Sequence, residues 1–124
     1  MTYKNNIHAA IFKTFVVQSP YRLSNRFLAA VYFLSADKDL WMKAKKGIKG
    51  KQIDFDSIDK SNLGCYAYTL FGLAMDCYKG GNHVSLYDIG DLYLFSDNTV
   101  ALIVSAIGIL RGGYRFIGIE KAFE

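Results

Sequence analysis

The chain of 124 residues is poorest in the residues that staple, stiffen or ligate: one proline, one tryptophan, two histidines and two cysteines. Its only glutamates are Glu120 and Glu124. Zinc needs four Cys, His or carboxylate ligands at tight spacings, and Cys65, Cys77, His8 and His83 form no CxxC, HxH or HExxH pattern. Asp54, Asp56 and Asp59 lack the ligand series and closing glutamate of a calcium loop, so they read as turn residues. On one helix the two cysteines would stand about 18 Å apart, beyond the roughly 7 Å that a disulfide spans. Two free, buried thiols are expected. GxSxG, P-loop and GxGxxG patterns are also missing, and His83 has no cysteine or serine partner in view. No catalytic, cofactor or metal residue is therefore nominated, and the chain is expected not to be an enzyme.

Long apolar runs are scarce too. The longest charge-free stretches, 61–75 and 98–110, fall short of the roughly 20 residues that a bilayer requires, and no signal-peptide pattern opens the chain. The expectation is a soluble, cytoplasmic protein without a membrane partner. Hydrophobic residues make up 52% and charged ones 21%, which excludes intrinsic disorder. Aromatics are abundant, with nine Phe and nine Tyr.

The periodicity is helical. Ile7, Ile11 and Phe15 form a stripe within 3–17. Ser19 reads as an N-cap with Pro20 in the first helical position, opening an amphipathic helix over 20–34 with Leu23, Phe27, Ala30, Val31 and Leu34 on one face. Ser35 or Asp37 caps a third helix that stops at Gly47. Residues 48–60 read as a loop. Ser61 opens a long helix to Tyr78, in which Gly64 and Gly72 are expected to permit close packing. A short helix fits 85–94. Residues 100–110, capped by Ser96 or Asp97, read as the central helix, with a buried strand as the alternative. The tail 114–124 reads as a short strand or a helical turn. These elements predict one all-α domain over 1–124, with five or six helices around a single core.

Charge is unevenly placed. Residues 1–51 carry 10 Lys and Arg against 2 Asp, a net of +8, and residues 52–124 carry 5 against 9 Asp and Glu, a net of −4. Lys43, Lys45, Lys46, Lys49 and Lys51 follow one another with no acid among them. With Arg22 and Arg26 they form a candidate patch for nucleic acid or an acidic partner, alongside the reading of a solvated helix end. Trp41, Tyr66, Tyr68, Phe71 and Tyr78 are the candidate protein-contact residues.

The stretches RFLAAVYFLSADKDLW at 26–41, FGLAMDCYKGG at 71–81 and DLYLFSDNTVALIVSAI at 91–107 together resemble an uncharacterised family of small helical proteins of Gram-positive bacteria, their phages and mobile elements. The resemblance implies a small accessory protein in a phage context and carries no site residues with it. The sequence thus leads to a non-enzymatic protein that binds a macromolecular partner, protein or ribonucleoprotein, stoichiometrically. In the phage context this becomes an inhibitor of a host defence nuclease, of the anti-CRISPR kind. Nucleic-acid binding through the basic half is the alternative. A homodimer is also expected, through the aromatic face of 61–78 or the tail 114–123, because the apolar excess exceeds what one small core can wrap.

Overall fold

A computed structural model describes residues 1–121. Seven α-helices follow in order: α1 (Asn6–Gln18), α2 (Asn25–Leu34), α3 (Lys38–Ala44), α4 (Cys65–Lys79), α5 (Leu86–Ile89), α6 (Asp97–Gly112) and α7 (Tyr114–Ile117). Between α3 and α4 lies a two-stranded hairpin, β1 (Ile48–Lys49) and β2 (Gln52–Ile53), paired antiparallel. The protein is all-α with one minor strand pair. That pair lies in the stretch expected as loop, while the tail opens with the helical turn α7 and its last three residues fall outside those described. No described helix is long and apolar enough to cross a membrane.

The central helix is α2, not the 100–110 segment. Every residue of α2 from Phe27 to Leu34 is buried, and it packs chiefly against α4 and α6. Ala29 and Ala30 keep its girth small, so neighbours approach on several sides. α6 forms as a helix over the stretch for which a strand was the alternative, but it covers only one side of itself and leaves Val104 and Ile107 exposed.

Local chemistry sets the boundaries. Ser24, not Ser19, caps α2, its hydroxyl accepting from the Phe27 N–H at 3.1 Å. Ser19 instead ends α1, where its N–H donates to the Phe15 carbonyl. The buried face of α1 is His8, Phe12 and Val16, one residue round from the expected stripe, and Ile7 is exposed. Asp37 caps α3 as one of the two expected candidates. α4 starts at Cys65 because Asn62 takes a left-handed φ of 62° and Gly64 serves as N-cap. Gly64 has open space around it and Gly72 faces only His83, so neither is needed for helix packing. The close approach belongs to Gly108, on which the Phe116 ring rests. Cys65 is exposed rather than buried and Cys77 is half-buried; both are free.

A polar knot sits inside the core. The Lys4 N–H donates to His8 Nδ1 at 2.9 Å, which puts the ring proton on Nε2, and Nε2 donates to the Tyr32 carbonyl at 2.7 Å. The Tyr32 hydroxyl donates to the Thr2 carbonyl, and the Thr2 N–H to Ser105 Oγ at 2.8 Å, tying the first residues across α2 and α6. Burial, aided by Lys4, holds His8 down at about 4, against an upward pull from its hydrogen bond to Tyr32. The unfolded chain therefore takes up a proton near pH 6.5 that the fold refuses, so stability falls as pH drops from 6.5 toward 4. Urea melts should lose about 2 kcal/mol between pH 7 and pH 5, and His8→Gln should show a shallower fall over the same window. Gly113, at φ 56° with the Asn25 side chain packed against its Cα, should tolerate no side chain. Gly113→Ala is expected to cost about 2 kcal/mol in the same assay.

Candidate functional site

Of the five aromatic residues singled out as contacts, the fold offers only one. Trp41 is buried, meeting the Phe15 ring edge-on at 5.5 Å. Phe71 is buried against Phe55. Tyr78 is half-buried, its hydroxyl accepting from the Ile53 N–H. Tyr66 is half-buried beneath the Lys4 ammonium at 4.6 Å, its hydroxyl without a partner among the described residues. The broad apolar face of α4 is spent on α2, with α3, Ile53 and Phe55 against its edges, which leaves Tyr68 in solvent at 57% exposure. The tail offers Phe116, partly exposed, and Tyr114, whose hydroxyl accepts from the Leu23 N–H; Phe123 lies outside the described residues.

The basic residues divide into groups. Lys45 and Lys46 are exposed on a 3₁₀ turn after α3, and Lys49 and Lys51 are exposed on the hairpin that follows directly. The hairpin turns at Gly50, φ 61°, and the partly exposed Tyr21 ring lies against that tip. Lys43 is half-buried and donates to the Ser61 carbonyl. Arg26 is exposed in the first turn of α2, while the Arg22 guanidinium stands 5.9 Å from the centre of the Tyr114 ring.

A different surface dominates, and the sequence reading missed it. Leu86, Tyr87, Leu92, Tyr93 and Leu94 are 85%, 86%, 82%, 100% and 61% exposed. The cause is local. Ser85 and Asp88 form a reciprocal capping box: the Asp88 N–H donates to Ser85 Oγ and the Ser85 N–H to Asp88 Oδ2, both at 3.1 Å. Asp91 Oδ1 accepts from the Tyr93 N–H at 2.9 Å, and the Asp91 carbonyl from the Leu94 and Phe95 N–H groups. The polar side chains are thus turned onto the backbone, and the apolar ones are left facing out. Phe95 is buried and anchors the far end of the segment.

The near end is clamped to α4. Asp76 Oδ1 accepts from the His83 N–H at 2.8 Å and pairs with His83 Nδ1 at 2.6 Å, while Oδ2 accepts from the Val84 N–H at 3.0 Å. Between α4 and this segment lies an open cavity of about 420 Å³. Its walls are Tyr68, Phe71, Gly72, Met75, Val84, Leu94 and Phe95, with Lys60, Thr69, His83 and Asp88 at the edges.

The Asp76–His83 pair has the base-and-orienter arrangement of a hydrolytic site, but a nucleophile must stand within hydrogen-bond reach of such a base. The hydrogen bonds of the His83 ring among the described residues go to Asp76. Burial pushes the nearby Cys77 thiol up to about 12, with Asp76 adding to the rise, so it stays protonated at neutral pH. Among the described residues no group of three or more His, Cys, Asp or Glu could hold a metal ion. No family model, curated protein or solved structure matches the chain.

Proposed function

We propose that this chain is a non-enzymatic binding protein that acts stoichiometrically on a macromolecular partner, with residues 86–94 and Tyr68 as its docking surface. The exposure of five large apolar side chains in nine consecutive positions carries this reading. Tyr87 and Tyr93 alone leave about 400 Å² in water, and the largest apolar patch on an ordinary monomer is roughly 300–600 Å². Leucines at both ends of the segment extend the patch further. In the phage context the partner is a host defence nuclease, and cleavage would then fall in proportion to added protein and stop at a one-to-one ratio.

A photo-crosslinking side chain in place of Tyr93 tests the docking surface against the same group in place of Gln18, an exposed residue on α1. One discrete adduct from position 93 and none from position 18 is expected in cells of the natural host. Leu92→Ser/Tyr93→Ser/Leu94→Ser should compete poorly with wild type for that adduct while changing stability by less than about 0.5 kcal/mol. Equal adducts from both positions, or none from 93, would remove the reading.

The exposed Lys45, Lys46, Lys49 and Lys51 beside Tyr21 favour a second reading, nucleic-acid binding at the hairpin end. Electrophoretic titration at two salt concentrations should then show affinity falling steeply with salt. Lys45→Ala/Lys46→Ala/Lys49→Ala should weaken all sequences alike, and the absence of any shift at low salt eliminates this reading.

A further inference from the structure

We infer that the cavity between α4 and residues 83–95 receives a basic, aliphatic stretch of a partner protein, one face of a helix carrying leucine-like and lysine or arginine side chains. The inference rests on the docking reading above and names the chemistry of its occupant.

Charge points there first. Between Gly80 and Leu110 the chain has three aspartates, Asp88, Asp91 and Asp97, and no lysine or arginine. Among the described residues no salt bridge reaches any of the three. Asp88 and Asp91 each accept from a neighbouring backbone N–H and make no ion pair among the described residues, although Lys60 lines the same cavity as Asp88. Such a surface attracts a cationic partner and repels nucleic acid.

The cavity floor points the same way. The Lys60 ammonium stands 5.5 Å from the centre of the Phe71 ring at the cavity edge, so this wall takes an aliphatic stem, while the cationic ends of the occupant are directed away from Lys60 to the aspartates of 88–97. A second copy of the chain fits less well. Two-fold pairing of this face would set Asp88, Asp91 and Asp97 of one copy against the same three of the other. A cleft flanked by exposed leucines and open along one side suits a helix laid into a groove.

The probe is a fluorescein-labelled amphipathic peptide of leucine and lysine, roughly 15 residues long so that it can be helical, beside a counterpart with glutamate in place of lysine. Anisotropy titrations with the full chain should give at least about tenfold tighter binding for the lysine peptide, weakening with salt. Leu92→Ser/Leu94→Ser should weaken it about tenfold. Asp91→Asn/Asp97→Asn should weaken it about fivefold and flatten the salt dependence, with the melting temperature confirming the fold. The amide introduced at position 91 can still accept from the Tyr93 N–H, so that variant removes charge and keeps the turn. Tighter binding of the glutamate peptide would overturn the charge assignment and leave the docking surface standing. Failure of both peptides, or unchanged affinity in both variants, would overturn the inference outright. Binding of a labelled oligonucleotide that is lost in the Leu92/Leu94 variant would do so too. The crosslink from position 93 decides the docking reading independently.

Discussion

Burying α2 on every side is the constraint to which the other helices answer. Eight consecutive residues, Phe27 to Leu34, are withdrawn from water, and the large ones among them supply on the order of 10 kcal/mol of gross hydrophobic stabilisation. A helix without a polar face needs partners all round. α4 and α6 supply the main ones, with α1 and α3 completing the wrap. The N-terminal residues add the polar closure, since His8, Thr2 and Ser105 satisfy groups around Tyr32 that no apolar neighbour could.

Meeting that demand fixes what the flanking helices have left over. α4 gives its aromatic face to the core and keeps Tyr68 outside; α6 gives one side and shows Val104 and Ile107 to solvent. The charge asymmetry between the halves maps onto separate places only in part. Lysines collect on the turn and hairpin after α3, where Asp54, Asp56 and Asp59 follow them directly, and Asp88, Asp91 and Asp97 fall in or next to the exposed stretch before α6.

How far the sequence was legible follows from the kind of signal each element carries. Side-chain caps located the starts of α3 and α6, because Asp37 and Ser96 bind their N–H groups locally, whereas α5 fills only the first turn of the stretch 85–94 expected as a short helix. The all-α class was legible for the same reason. Which helix is central was not. The apolar residues of α2 and those of α6 look alike in one dimension, since both helices mix small residues with large ones, and only the partners around them separate the two. Trp41, Tyr66, Phe71 and Tyr78 could not be told from Tyr68 by residue type, since exposure depends on which neighbour covers each ring. The stretch 86–94 was hidden for the opposite reason. Its leucines and tyrosines have no helical or strand period, and the signal lay in Ser85, Asp88 and Asp91, whose side chains bond the backbone and push the apolar groups outward.

That local bonding has a consequence for kinetics. A loop that presents apolar side chains ordinarily has to be frozen by whatever binds it, and the lost chain entropy subtracts from affinity. Here the capping box, the Asp91 turn, the Asp76 clamp at one end and buried Phe95 at the other hold the backbone before any encounter. Association with a partner of the proposed kind would then require no folding step, and little of the contact energy would be diverted to ordering the segment. Loosening any one of these ties would leave the chemical surface unchanged and shorten the lifetime of whatever complex forms on it.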